Sequence, residues 1–502
     1  MLAKGEEKME WGRGAFIYLA TASTILLATL CFSVFEPGMA GYEKSLFRNG
    51  LDGFISPASL LQGVLALLSI GLLPFHAKRF GFGWSLTALA ALSIISNLAL
   101  FHPSKRESWR LREVSFSSDI QNPFSGESFD IRSFSRYPSE HVALARRGYR
   151  AATVPRRRLT TYPPGLPMFY LAVSSASAPV SAPLERLSKL DFADDAEFNR
   201  ILPWEYRRRF PAAAAFSLLH IAAFVLSVIL AGLAGRVLSE GDDSKGLMAA
   251  AAVAALPALT LYNVSESALF VPIPLLALWA SAKFPGRRRS IPFGIGVLYG
   301  TGLLFSLVFL PLILFHALQF ILDERAWKGR FERLAFFACG AGAAFLLQFI
   351  LFGYNPFEMI HLAISNNRVF YEMSSRSHFL SIPLNAYEFL LMSGIAWGVW
   401  ASILPFHFRR GAAGRWLAEA PDLPEGEKIL PLFLAVLSLL ILSGSVRGEV
   451  GRNWMCLMPF LALGVVAKKS FDKRWFALCY GVAATAFIAE SIFLEVVFNY
   501  WL

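Results

Sequence analysis

The chain has 502 residues, 55% of them hydrophobic and 17% charged, with a formal net charge of +11. A soluble domain carries about a quarter charged residues, and many apolar runs here reach ~18 residues or more, the helical span of a bilayer core. Together these exclude a soluble α/β enzyme with buried strands and a protein held by a single anchor. The excess Lys and Arg gather in short loops between apolar runs, which fits membrane topology rather than nucleic-acid binding.

Taken in order, residues 1–101 hold three expected spans, at 14–35, 57–75 and 83–101. Lys4, Lys8 and Arg13 precede the first. That run is long for a signal-peptide core and no clear Ala-x-Ala site follows, so it reads as an uncleaved span. Residues 102–210 are one long polar interruption, and a loop of this size between helices points to a use. Residues 211–502 hold ten more expected spans, beginning with 211–234, 247–262 and 267–282. The run 291–322 would extend ~48 Å as one helix, too long for a core of ~30 Å. Arginines flank it on both sides, so it is expected to split near 305–308 into two short helices. The last spans are expected at 334–352, 386–405, 429–442, 454–467 and 475–498. The expected fold is therefore an all-α polytopic membrane protein of about thirteen transmembrane helices, with a large first external loop that contains short interfacial helices.

Charge assigns the sides. Lys78, Arg79, Lys283, Arg287 to Arg289, Arg409, Arg410, Lys468, Lys469, Lys473 and Arg474 fall in loops expected inside. The opposite short loops are poor in cations, and the large loop falls outside with them. Cys31, Cys339, Cys456 and Cys479 all lie in apolar runs, where cysteine packs as a small apolar side chain. Neither a disulfide framework nor a metal spacing is visible.

Four outside segments carry the candidate chemistry. The large loop brings Asp119, Glu127, Asp130 and Glu140, of which one or two suit a general base. Its Tyr162-Pro163-Pro164-Gly165 fixes φ twice and then permits a turn, either a plain rigid corner or a clamp at the membrane surface before an interfacial helix. Just upstream, 139–147 suits an amphipathic helix with Ser139 as N-cap. Glu266 sits at the edge of an apolar run, where a carboxylate is costly unless it meets water, a partner or a ligand. The segment 353–385 brings Asn366, Asn367, Arg368, Glu372, Arg376 and His378. The last loop, 444–454, holds Arg447, Glu449 and Arg452 between glycines. Those guanidiniums suit a phosphate, or pair with Glu449 at headgroup level.

The pattern resembles the GT-C superfamily of membrane glycosyltransferases, including the protein O-mannosyltransferase and aminoarabinose-transferase branches. The residues that carry the likeness are Tyr162-Pro163-Pro164-Gly165-Leu166-Pro167, Arg207-Arg208-Arg209-Phe210-Pro211, the run 294–322, and Arg447-Gly448-Glu449-Val450 to Arg452-Asn453-Trp454 with Met458-Pro459-Phe460. Two departures stand out. The acid-bearing loop follows the third span rather than the first, and the paired acids of those branches are replaced by the isolated Asp119 and Asp130.

The resemblance implies an inverting glycosyltransferase of the cell envelope, multi-pass in a bacterial inner membrane with its active face outside. The donor would be a polyprenyl-phosphate sugar and the acceptor a lipid, glycan or protein, with membrane lipids around it and no nucleic acid. Asp119 or Asp130 would be the base, Glu266 would orient the acceptor or assist the base, and Arg447 and Arg452, with Arg368 or Arg376, would hold the phosphate. No particular cofactor is implied, and a divalent cation (Mg or Mn) is compatible with single carboxylates. A flippase of a lipid-linked glycan and a non-catalytic scaffold are the competing readings. The flippase predicts ionisable residues at span midpoints.

Overall fold

A computed structural model describes residues 57–100, 133–152, 158–177, 204–261, 266–374, 376–394, 397–398, 420–447, 450–469, 471, 476–477 and 479–481. Among them every regular element is helical and there is no strand. Three helical stretches are long and apolar enough to cross a membrane: Leu218–Leu238, Trp327–Phe352 and Glu425–Ser443.

The principal helices are α1 (Pro57–Leu72), α2 (Phe82–Leu100), α3 (Tyr137–Arg147), α4 (Gly165–Ser177), α5 (Trp204–Leu238), α6 (Asp243–Ala254) and α7 (Pro272–Lys283). They continue with α8 (Ser290–Gly302), α9 (Phe309–Leu322), α10 (Trp327–Phe352), α11 (Pro356–Met373), α12 (His378–Ser393), α13 (Glu425–Ser443) and α14 (Met458–Val466). The expected runs at 57–75, 83–101, 334–352, 429–442 and 454–467 all fall on helices. The spans expected at 14–35 and across most of 475–498 lie outside the described residues, as do Cys31, Arg409 and Arg410.

Several boundaries differ for local reasons. The run at 247–262 is two helices, α6 and Pro257–Leu261, because Pro257 starts a new first turn rather than continuing the old one. The run at 267–282 is a 3-10 turn, Glu266–Phe270, followed by α7, which opens on Pro272 and Pro274. The helix expected at 386–405 instead starts at His378 and ends before Gly394, whose φ of 88° closes it. The span expected from 211 starts earlier, at Trp204 within the interruption expected at 102–210, and α5 continues unbroken through Pro211. Helix α11 falls in a stretch read as loop, and Asn355 caps it by accepting from the Phe357 and Glu358 amides.

The core sits on α6 and α14. Leu247 to Val253 of α6 and Met458, Phe460 and Leu461 to Val466 of α14 have 0–1% exposure, so both helices are apolar all round and enclosed. Alanines at 249–252 let α5 approach closely; Gly235 of α5 has no room for a Cβ, which would lie 2.4 Å from Ala249. By contrast α10 turns Leu346, Leu347, Phe349, Ile350 and Leu351 outward at 54–67% exposure. In water that face would be a large apolar patch, whereas hydrocarbon matches it.

The run at 291–322 does divide. Helices α8 and α9 form an antiparallel hairpin whose turn is at 303–308, tied across by Tyr299 and His316 (OH to Nδ1, 3.0 Å). Each arm is ~20 Å long, short of a full bilayer core. The first arm runs beside α10 through Gly296, Gly300 and Gly340, and a Cβ on Gly340 would sit 2.1 Å from the Phe293 carbonyl.

The molecule therefore has two polar ends. At one, ion pairs join the hairpin base to its surroundings: Arg289 to Glu332, Arg333 to Asp323 and Glu324, Lys428 to Asp323 and Glu425, and Arg325 to Asp422. Lys468 bonds Glu427 and Lys469 pairs with Glu240 beside them. Of these, Lys428, Lys468, Arg333 and Asp323 have side chains at most 9% exposed. The hairpin turn, α3, α4, α11 and the loop around Arg447 share the other end.

Candidate functional site

The site is built on the hairpin turn. The amide of Gly165 donates to the Leu304 carbonyl at 2.8 Å. A Cβ on Gly165 would lie 2.4 Å from that same oxygen, so only glycine lets the Pro-Pro turn seat there. Pro163, Pro164 and Gly165 are buried and Tyr162 is half-buried. Leu304 packs with Val142, Ala145, Tyr354, Met359 and Ala363, so α3 and α11 lie over the turn.

Helix α3 starts at Tyr137, two residues before the expected cap. Pro138 presets the first turn, and Ser139 instead donates its hydroxyl to the Phe352 carbonyl at 3.0 Å. His141, 2% exposed, lies 2.9 Å from the Tyr162 carbonyl through Nε2 and 3.1 Å from the Tyr137 hydroxyl through Nδ1. The carbonyl can only accept, so Nε2 carries the proton and Nδ1 accepts from Tyr137. Burial lowers the His141 pKa to about 4, against the raising effect of the Tyr162 and Leu159 carbonyls, and keeps the ring neutral. On the solvent side Arg146 forms a two-pronged pair with Glu358 of α11 (2.6 and 2.9 Å), which holds that carboxyl below its ordinary range.

Two adjacent asparagines of α11 face the two halves of the site. The buried Asn366 donates to the Ala145 and Thr160 carbonyls (3.0 and 3.1 Å) and accepts from the Tyr149 amide (3.0 Å). Asn367 reaches the Tyr371 hydroxyl (3.4 Å) and the Ser445 carbonyl (3.2 Å). The sequence grouped this pair with the outside face but gave it no role. The legible signal was Asn-Asn in a short polar run, which helix α11 turns into a bridge.

Arg376 and Arg447 meet. Each donates from Nη1 to the other's carbonyl at 2.8 Å. The Arg447 guanidinium stands 5.4 Å from the Tyr371 ring centre, and that of Arg376 the same distance from Phe370. Among the described residues Arg447 is held by backbone oxygens and a ring, with no carboxylate on it. These contacts fix where its guanidinium stands.

The other expected residues fall around this pair. Arg452 is half-buried in the short helix Val450–Asn453, which packs on α12. Glu266 is half-buried in the turn Glu266–Phe270, against α5 and Met455–Leu457, and reaches neither Arg376 nor Arg447. Arg368 is not gathered in. Its side chain is 79% exposed and pairs with Glu372 one turn on. Asp119, Asp130, Gly448 and Glu449 lie outside the described residues, although Asp130 is only seven positions before α3. Among the described residues no three His, Cys, Asp or Glu side chains stand together as metal ligands.

No protein-family model, no curated protein and no solved structure matches the chain.

Proposed function

We propose that the protein is a multi-pass membrane glycosyltransferase of about thirteen spans, with residues 102–210 on the outer side, that takes its sugar from a polyprenyl-phosphate donor. The observation that carries this reading is the Arg376–Arg447 pair beside the Pro-Pro turn, at the opposite end from the lysine- and arginine-rich hairpin base. A lipid-linked donor arrives sideways with its headgroup at the interface, where two guanidiniums held in place by the backbone suit a phosphate.

In this reaction a carboxylate, Asp119 or Asp130, removes the acceptor hydroxyl proton. The acceptor oxygen attacks the anomeric carbon from the face opposite the phosphate. The carbon–oxygen bond to phosphate breaks, its electron pair stays on the phosphate oxygen, and Arg447 with Arg376 receives that charge. In this reading Arg452, in Val450–Asn453, shares in holding the phosphate, and Glu266, in the turn beside Met455–Leu457, orients the acceptor or assists the base.

A transport reading draws on the interruption between α6 and Pro257–Leu261. Against it, Val253 to Leu256 and Ala258 to Leu259 at that break are apolar and 0–4% exposed, with no ionisable group to carry a substrate.

The test is sugar release from purified protein supplied with polyprenyl-phosphate-linked sugars. Wild type is expected to turn over, Arg447→Gln to lose most of the rate, and Asp119→Asn with Asp130→Asn to lose it altogether. Undiminished turnover in the double variant would remove the proposed base.

A further inference from the structure

The loop that carries Arg447 is held in an unusual way for a surface segment. Three consecutive carbonyls are each taken by a side chain from elsewhere in the chain. Asn367 donates to Ser445 (3.2 Å), Asn385 to Val446 (2.6 Å) and Arg376 to Arg447 (2.8 Å). Ser445 is exposed and Val446 and Arg447 are half-buried, so water was available for these oxygens. Asn385, on α12, has no exposed surface at all. A buried carboxamide costs about 1–3 kcal/mol when its partner is lost, and this one is aimed out of the core at a loop.

The loop enters from α13 through Gly444, whose φ is 60° and whose missing Cβ leaves room for the His378 ring. It leaves into Val450–Asn453, which packs on α12. Between these ends the bound carbonyls leave the backbone one course, and Arg447 emerges from it over Tyr371. Preorganising a cation this way removes the ordering cost that ligand binding would otherwise carry.

We infer that Asn367 and Asn385 are positioning residues that set Arg447 in its phosphate-holding pose, with Asn385 as the principal one. This rests on the phosphate role proposed for Arg447.

The test uses Asn385→Asp and Asn385→Ala in the full chain. The probe is a short-chain polyprenyl methyl phosphate, a diester that keeps one charge throughout the pH range used. An ionised carboxylate cannot donate to the Val446 carbonyl, whereas a protonated one can. Burial raises the pKa of an introduced carboxyl, so readings at about pH 5.5 and about pH 8 bracket its titration. His378, Arg376, Arg447 and Arg452 face the loop in every variant, so each affinity is divided by that of wild type at the same pH.

Asn385→Asp is expected to bind about tenfold more weakly than wild type at the higher pH, a difference of ~1.4 kcal/mol, and within about threefold of it at the lower. Asn385→Ala stays weak at both. Hydrogen exchange across 444–447, compared with wild type at each pH, follows the same pattern without any ligand. Equal weakening of Asn385→Asp at both pH values, or unchanged exchange in the loop, overturns the inference. If instead Arg447→Gln binds the probe as wild type does while the loop exchange responds as expected, the phosphate reading fails and the loop-positioning role stands.

Discussion

Replacing Lys428 by methionine probes the buried ion cluster at the hairpin base. The Lys428 side chain is 2% exposed and bonds both Asp323 and Glu425 at 3.1 Å. Asp323 is already pushed up to about 7, first by burial and then by the neighbouring Glu425 charge, against the lowering pull of Lys428 and Arg333. A carboxyl raised in this way contributes stability that is fully present below about pH 4 and is lost as pH rises through about 7. Without Lys428 the carboxyl takes a proton in place of its lost partner.

At about pH 6 the raised Asp323 carboxyl is closer to protonation in wild type too, so the variant's loss is nearer that of hydrogen bonds and packing alone, ~1–2 kcal/mol. At about pH 8.5 the carboxyl is either left buried without its cation or must take up a proton against the solution, so the loss moves toward the ~3–5 kcal/mol of a broken buried pair. Thermal unfolding in detergent, followed by tryptophan fluorescence at both pH values, reads this directly. The expected result is a clearly larger loss at the higher pH, with Asp323→Asn combined with Lys428→Met recovering most of it. An equal loss at both pH values would refute the role given to Asp323.

Other changes sort buried links from exposed ones. Gly165→Ala forces a methyl against the Leu304 carbonyl and is expected to cost ~1–3 kcal/mol and to loosen the Pro-Pro turn, read as faster proteolysis after 152 with α10 intact. Asn366→Ala leaves the Ala145 and Thr160 carbonyls and the Tyr149 amide unpaired and should lower stability by ~1–3 kcal/mol in the same melting assay. Arg146→Ala removes a pair that is 61% exposed on the arginine side, and its melting temperature should match wild type, above all in high salt. Gly340→Leu should separate α8 from α10 and greatly reduce the yield of folded protein after membrane extraction.

What the sequence made legible was mostly apolar length and charge. The break in 291–322 followed from arithmetic, since arginines at both ends and a run too long for one pass leave few options. The nearness of Arg376 and Arg447 was expected only as a shared side of the membrane; their mutual carbonyl bonds needed the fold.

Misreadings came where prolines and capping residues outweigh apolar periodicity. Pro257 and Pro272 cut expected spans, Gly394 ended another, and Asn355-Pro356 started α11 inside a stretch whose polar residues resembled a loop. The buried cluster of Lys428, Asp323 and Arg333 was invisible for a different reason. Each of these residues sits at the edge of an apolar run and looks like an ordinary flanking charge until the three edges are brought together.

The central claim is that the acid-bearing segment and the Arg447 loop share the outer side. Single cysteines, Asp130→Cys, Arg452→Cys and Lys469→Cys, in a background without other cysteines, are to be labelled in sealed cells with a membrane-impermeant maleimide. The first two are expected to label from outside, and Lys469→Cys only after the membrane is opened. Labelling of Asp130→Cys and Arg452→Cys from opposite sides would contradict the claim.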